Sequence, residues 1–118
     1  MHDYKKLDVW SKSMDLVKEV YDLTSSFPDK EKFGLISQMR RCSVSIPSNI
    51  AEGAGRISDK EFNKFLSYSL GSAFELETQL LLSARLEFIK EEKVKNILSE
   101  LESTCKMIHS LKKRLSNS

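Results

Sequence analysis

Apolar residues recur at intervals of three and four positions along almost the whole chain, and this spacing predicts α-helices. Proline, glycine and capping residues divide the pattern into four segments joined by short connections. No segment alternates between apolar and polar residues over a useful length, so no strand is predicted. Four helices of roughly 20 to 30 residues with short loops favour an all-α, antiparallel up-and-down four-helix bundle. We expect one domain that spans residues 1–118.

The first predicted helix ends before Pro28, because the residue that precedes a proline is disfavoured in the helical conformation. Asp8 is expected to be its N-cap, although Asp3 would allow an earlier start. One apolar stripe with helical spacing is predicted to face the core. This stripe consists of Trp10, Met14, Val17, Val20, Tyr21 and Thr24.

The second predicted helix begins near Asp29 and ends at Gly53 and Gly55, since glycine is common just after a helix. Pro47 lies in its interior. Proline lacks an N–H group and crowds the carbonyl of Ser43, so a kink is predicted at Pro47. The inward face is predicted to consist of Ile36, Met39, Ser43, Ile46 and Ile50, with Cys42 beside it.

The third predicted helix starts with a capping box formed by Ser58 and Glu61 and continues to about Phe88. Its first stripe is Phe62, Leu66, Ser69, Ala73, Leu76, Leu80 and Ser83, and its second is Leu70, Phe74, Leu81, Ala84 and Phe88. One partner helix needs only one stripe, so this helix is expected to be central or to be buried against another subunit. Gly71 lies in a small-residue patch where another helix is expected to pack closely.

The fourth predicted helix begins after Lys90, and the helix dipole favours Glu91 and Glu92 in its first turn. Its apolar seam is predicted to consist of Val94, Ile97, Leu101, Cys105, Ile108, Leu111 and Leu115. The seam completes the fourth side of the bundle.

Two polar rows follow the same helical spacing, which a plain bundle helix would fill with leucine. The row on the second helix is Gln38, Arg41, Ser45, Asn49, Glu52 and Arg56, and the row on the third is Tyr68, Ser72, Glu75 and Gln79. Glu52 and Arg56 form a favourable i,i+4 pair. The rows predict either a hydrogen-bonded network, within or between subunits, or two solvent-exposed faces. The pattern leaves both alternatives open.

The charge balance is almost neutral, with 19 basic and 17 acidic residues and a net charge of +2. Strong nucleic-acid binders usually show a larger excess, but no acidic residue follows Glu102. Contacts with phosphate are predicted for Arg40, Arg41, Arg56, Lys60, Lys64, Lys112, Lys113 and Arg114. The alternative is that these residues are ordinary solubilising charges.

No catalytic residue, cofactor or metal site is predicted. Glu52, Glu75 and Glu77 are the candidate acids and bases, but that chemistry needs a pocket and a shifted pKa. The histidines, His2 and His109, have no glutamate three residues before them, as a di-iron bundle would require. The glycines match no phosphate-binding loop.

The cysteines and the first residues of the chain indicate the cellular compartment in which the protein is expected. Cys42 and Cys105 lie far apart at apolar-periodic positions, so buried free thiols in a reducing cytoplasm are expected. The first residues lack the apolar region of a signal peptide. No apolar run approaches the roughly 18 residues of a membrane span, so no membrane partner is expected.

Several sequence blocks resemble a known family. These are LDVW from Leu7, YDLTSSFP from Tyr21, GLISQMRR from Gly34, SIPSNIAEG from Ser45, EFNKFL from Glu61 and GSAFELE from Gly71. Together, over roughly residues 5–110, they resemble the four-helix-bundle proteins encoded within intervening sequences of bacterial 23S ribosomal RNA genes. Cys42 departs from the family pattern, in which a small residue is usual.

The resemblance implies a left-handed antiparallel bundle that assembles into a ring, expected to be a homopentamer. It also implies similarity to the accessory protein of diversity-generating retroelements, a basic pentameric bundle that binds nucleic acid and a reverse transcriptase. The expected function is therefore that of a non-enzymatic oligomer that binds RNA or a nucleoprotein. The alternative is a protein-interaction scaffold that binds no nucleic acid.

Overall fold

The computed structural model describes residues 1–117, and this part of the chain is all-helical. The elements are a 3-10 helix at Tyr4–Lys6, α1 at Asp8–Thr24, a 3-10 helix at Asp29–Glu31, α2 at Leu35–Ala54, α3 at Asp59–Arg85 and α4 at Glu91–Ser116. Helices α1 and α3 each pack against both α2 and α4, which closes a ring of four helices. The bundle measures 46 × 24 × 20 Å. The predicted four-helix fold is confirmed.

The helix starts agree with the predictions for α3 and α4 and differ for α1 and α2. The Ser58 hydroxyl accepts a hydrogen bond from the Glu61 amide at 3.1 Å, so Ser58 caps α3 as predicted. Asp8 is the first residue of α1 rather than its N-cap. Asp3 instead caps the short helix before α1, where its carboxylate accepts from the Lys5 amide.

The start of α2 was predicted six residues too early, at Asp29 instead of Leu35. Residues Asp29–Glu31 form a separate 3-10 helix. The interruption lies at Gly34, whose backbone angles (φ −109°, ψ −110°) are outside the helical region. A residue without a Cβ adopts such a conformation more easily than the others.

The core contains the whole first stripe that was predicted for α3, whereas only Val20 and Thr24 of the stripe predicted for α1 are fully buried. Met14 and Tyr21 of α1 are 46% and 41% exposed. The buried face of α1 is Val9, Ser13, Leu16, Val20 and Thr24. Ser13 and Thr24 tolerate burial because their hydroxyls donate to the carbonyls of Trp10 and Val20, each at 2.8 Å.

Helix α4 also buries a polar residue where the pattern predicted a different one. Thr104 is buried in place of the predicted Cys105, which is only partly buried. The Thr104 hydroxyl donates to the Glu100 carbonyl at 2.9 Å, which satisfies the buried donor. The other predicted seam residues up to Leu111 are buried, and Leu115 packs at the edge of the core.

Helix α2 continues through Pro47, and side chains donate hydrogen bonds to the two carbonyls that directly precede it. The Ser69 hydroxyl of α3 donates to the Ile46 carbonyl at 3.0 Å, and the Asn49 amide donates to the Ser45 carbonyl at 2.9 Å. Pro47 has no N–H group, so the Ser43 carbonyl loses its helical donor, and the two side-chain bonds fall on the neighbouring carbonyls rather than on that one. The kink at Pro47 stays a prediction.

Gly55 is the C-cap of α2, as predicted, whereas Gly53 is a contact residue rather than a helix terminator. It lies inside α2, and a Cβ atom built on it would be 2.6 Å from the Phe65 Cβ and 2.9 Å from the Phe62 Cδ1. Gly71 was expected to be the site of close helix packing, but a Cβ atom added there would meet no other helix within 4 Å in the described part of the chain. The close approach of α2 and α3 therefore occurs at Gly53.

Candidate nucleic-acid interface

The predicted basic residues lie in several separate places, starting with Arg40 near the first turns of α2. The Arg40 guanidinium lies 4.6 Å from the Tyr21 ring centroid, and its Nε donates to the Thr24 hydroxyl at 2.9 Å. A second nitrogen donates to the Tyr21 carbonyl. These contacts hold the C-terminal end of α1 against α2, so they already use donors of Arg40.

Three basic side chains line a groove between the start of α3 and the end of α4. This basic groove has a volume of about 810 Å³ and is lined by Lys60, Lys64 and Lys112. The other lining residues are Ile57, Asp59, Asn63, Ser67, Leu115 and Ser116. The groove combines residues 52 positions apart in the sequence, which antiparallel packing of α3 and α4 brings to the same end of the bundle.

Lys112 is fixed in the wall of the basic groove. Its ammonium group donates to the carbonyl and side-chain oxygens of Asn63 and, at 2.6 Å, to the Ser67 hydroxyl. Asn63 in turn donates to the Lys112 carbonyl at 3.2 Å. An ammonium has three donors, and three acceptors surround this one. Lys112 therefore contributes a fixed positive charge, while the exposed Lys60 and Lys64 keep donors for a ligand.

The other basic residues near the C-terminal end of α4 lie outside the basic groove. Arg114 lines a groove of about 420 Å³ between α1 and α4, together with Lys6 and Lys106. Lys113 is exposed beside it on α4. The end of the bundle that holds the basic groove thus carries basic side chains on two of its faces.

Arg56 lies at the same end, on the flank that α3 shares with α2. It forms an ion pair with Glu52 at 3.1 Å, as the i,i+4 spacing predicted. Its guanidinium also lies 4.7 Å from the Phe65 ring centroid. Phe65 packs edge-on against Tyr68, with centroids 5.4 Å apart and planes at 81°. The i,i+3 spacing of these two rings is the signal in the sequence for their contact.

The two polar rows meet between α2 and α3 of the same chain, in a half-buried seam. Ser45 and Ser72 share a hydrogen bond of 2.8 Å, and the Asn49 amide donates to the Ser45 hydroxyl at 2.9 Å. Further along, the Cys42 thiol donates to the Glu75 carboxylate at 3.1 Å. We call these contacts the polar seam. It borders an open groove of about 330 Å³ that Gln38 and Arg41 also line.

The polar seam does not activate its thiol. Burial raises the pKa of Cys42 to about 11, and the hydrogen bond to Glu75 acts in the same direction. Burial likewise raises the pKa of Cys105. Both cysteines are free. Because the thiolate is the reactive form, Cys42 is a poor nucleophile at neutral pH. Gln79 donates to Cys42, while its buried side-chain oxygen has no partner within residues 1–117.

Two of the candidate acids and bases already have partners. Glu52 is paired with Arg56, and Glu75 accepts from Cys42. Among residues 1–117, no group of three His, Cys, Asp or Glu side chains is arranged to hold a metal ion. In the same range, no helix has the length and apolar character needed to cross a membrane.

Comparison with known proteins gives two findings. The family profile described as 23S rRNA-intervening sequence protein matches residues 5–110. The fold is similar to the crystal structure of a protein of unknown function from the S23 ribosomal protein family of Bacteroides thetaiotaomicron VPI-5482. The TM-score is 0.82 at 28% sequence identity, and the alignment covers 89% of this chain and 95% of that one. No curated protein sequence matches the chain significantly.

Proposed function

Because this chain belongs to the 23S rRNA-intervening sequence protein family, we propose that it is a non-enzymatic, self-assembling helical bundle that binds structured RNA, alone or in a nucleoprotein. The basic groove is the proposed contact surface. The observation that carries the proposal is the convergence of Lys60, Lys64 and Lys112 on this groove. The proposed location is the cytoplasm, where such RNA is found.

Phosphate neutralisation is the mechanism that this surface supports. Lys60 and Lys64 are exposed and lie four residues apart on α3, so both side chains project from one face. They would bind two neighbouring phosphates, and the fixed charge of Lys112 would raise the local potential. Binding that releases about two counterions per subunit weakens as salt increases, and it carries little sequence preference.

Self-assembly would raise the affinity for RNA above that of a single basic groove. We propose a homopentamer, as expected from the family resemblance. A ring would present five copies of the basic groove. Once one copy holds an RNA molecule, the others meet it at a high effective concentration, so avidity exceeds the affinity of a single groove. Helix α3 offers an apolar surface for assembly, because Phe74 and Leu81 are 53% and 48% exposed.

The proposal is tested by measuring native mass together with the retardation of labelled ribosomal-RNA fragments at about 50 mM and about 200 mM salt. We expect a closed oligomer that shifts RNA at the lower salt concentration and releases it at the higher one. The double variant Lys60→Glu/Lys64→Glu should abolish the shift. The matched control is Lys30→Glu/Lys93→Glu, which makes the same charge change at exposed positions of the opposite end.

A second candidate function is a scaffold for a protein partner. It is favoured by the exposed apolar side chains near the C-terminal end of α3: Phe74, Leu81, Leu82 and Leu86. Exposed apolar patches of this kind mark interaction sites. A closed oligomer that never retards RNA at either salt concentration would favour the scaffold. A monomer would contradict both candidates.

A further inference from the structure

Arg56, Phe65 and Tyr68 form a compact group of flat side chains where the loop after α2 meets the first turns of α3. We infer that this group, named here the stacking platform, receives an unpaired RNA base. The inference rests on the proposed function, because it assigns a second subsite to an RNA whose phosphates occupy the basic groove. It adds a preference for single-stranded or loop RNA, which the basic groove alone does not provide.

The geometry of the stacking platform leaves flat surfaces open to solvent. The Arg56 guanidinium lies over the Phe65 ring, 4.7 Å from the ring centroid. One guanidinium nitrogen of Arg56 also contacts the Glu52 carboxylate at 3.1 Å. Tyr68 stands edge-on to Phe65 and is 47% exposed. Unpaired bases stack on aromatic rings and on guanidinium planes, and both kinds of surface are present.

The stacking platform adjoins the basic groove on the same helix. Lys64 directly precedes Phe65 in the sequence, and Tyr68 lies one helical turn beyond Lys64, with Cβ atoms about 5 to 6 Å apart for this spacing. The groove opens toward α4, whereas the platform opens toward α2. A strand that crosses α3 would therefore place a phosphate at Lys64 and the attached base over Tyr68 or Arg56.

Base pairing decides which RNA fits this arrangement. In a duplex the base faces are stacked on one another and only the edges and the backbone are accessible, so the platform would remain unused. In a loop or a single strand the bases can be splayed out onto the protein. Stacking involves the π-face that all bases share, so the expected preference is for unpaired RNA rather than for a sequence.

The opposite end of the bundle provides an internal comparison. Arg40 lies 4.6 Å from the Tyr21 ring, and Tyr21 is 41% exposed, which resembles the pairing in the stacking platform. Arg40, however, donates to Thr24 and to the Tyr21 carbonyl, and the basic groove is at the other end. Tyr21 is thus a matched control: a similar ring beside an arginine, without a phosphate site next to it.

The test uses two labelled RNAs of equal charge: a hairpin with 2-aminopurine in an unpaired loop, and a fully paired duplex. Affinity and 2-aminopurine fluorescence are measured for the wild-type oligomer and for Tyr68→Ala, Arg56→Lys and Tyr21→Ala. Tyr68→Ala should weaken hairpin binding by about 5- to 150-fold and reduce fluorescence quenching, with duplex binding unchanged. Arg56→Lys keeps the charge but removes the flat surface, so it should also weaken hairpin binding selectively. Tyr21→Ala should change neither.

The possible results separate this inference from the proposed function. If the wild type binds both RNAs with equal affinity and Tyr68→Ala leaves the hairpin affinity and quenching unchanged, the stacking platform is overturned while RNA binding stands. If Arg56→Lys has no effect but Tyr68→Ala does, the guanidinium part of the inference falls. If neither RNA binds at low salt, both proposals are overturned, and the exposed rings then fit a protein partner.

Discussion

The contact between α2 and α3 at Gly53 supports a quantitative prediction for Gly53→Ala. The added Cβ would lie 2.6 Å from the Phe65 Cβ, 2.9 Å from the Phe62 Cδ1 and 3.2 Å from the Phe62 carbonyl oxygen. Carbon atoms normally pack at about 3.5 to 4.0 Å, so the two helices would have to separate by roughly 1 Å. The Phe65 Cβ is attached directly to the backbone and cannot rotate away, and Phe62 is fully buried.

Two opposing effects set the expected size of the change. Overpacking of this kind costs about 1 to 3 kcal/mol. Replacing a helical glycine with alanine stabilises the helix by at most about 1 kcal/mol. We therefore expect Gly53→Ala to lower the free energy of unfolding by up to about 2 kcal/mol, which corresponds to a Tm decrease of up to about 8 °C.

Urea denaturation followed by far-ultraviolet circular dichroism measures this difference. Gly71→Ala is the matched control, because Gly71 is also a helical glycine but its added Cβ would meet no other helix within 4 Å among residues 1–117. Without a clash, Gly71→Ala should stabilise the protein by about 0.5 to 1 kcal/mol. Equal stabilisation by both substitutions would refute the argument, because it would mean that α2 and α3 are not in tight contact at Gly53.

Three further predictions concern other parts of the bundle. Mass spectrometry can follow the alkylation of Cys42 in the Cys105→Ser variant. The reaction should be slow at pH 7 and should accelerate only as the pH approaches the raised pKa of about 11. Fast alkylation at pH 7 would show that the thiol is not protected. Lys112→Met should lower the free energy of unfolding by about 1 to 2 kcal/mol in urea denaturation, because Asn63 and Ser67 lose the ammonium donor. Lys113→Met should change it by less than about 0.5 kcal/mol. Phe74→Glu should shift the native mass toward the monomer; an unchanged mass would show that α3 does not mediate assembly.

The sequence predicted the fold because helical periodicity, capping residues and short loops all indicated the same architecture. It misplaced the buried face of α1 because two sets of residues share the helical period. The predicted stripe and the buried face share Val20 and Thr24, but the buried face continues through Leu16 to Ser13, whose hydroxyl bonds to its own helix. Hydropathy alone does not register this local hydrogen bonding.

The candidate site was predicted less well because it depends on which helix ends meet. The basic residues could be identified from sequence, but their division among separate grooves follows from antiparallel packing. Lys112 is an example: its role as a fixed charge depends on Asn63 and Ser67, which lie 49 and 45 residues away. The stacking platform was missed for a related reason, because Arg56 and Phe65 belong to different sides of the turn between α2 and α3.

The closed arrangement of the four helices within one subunit also has a consequence for the order of folding. Three of its four contacts join helices that are consecutive in the chain, and only the α1–α4 contact joins distant segments, for example through the ion pair between Lys12 and Glu100. Closing that long loop causes a larger loss of conformational entropy than forming the α2–α3 hairpin. We therefore expect the hairpin to form early and α1 to dock on α4 late. Substitutions at the α1–α4 contact should accelerate unfolding in stopped-flow experiments while leaving the refolding rate almost unchanged.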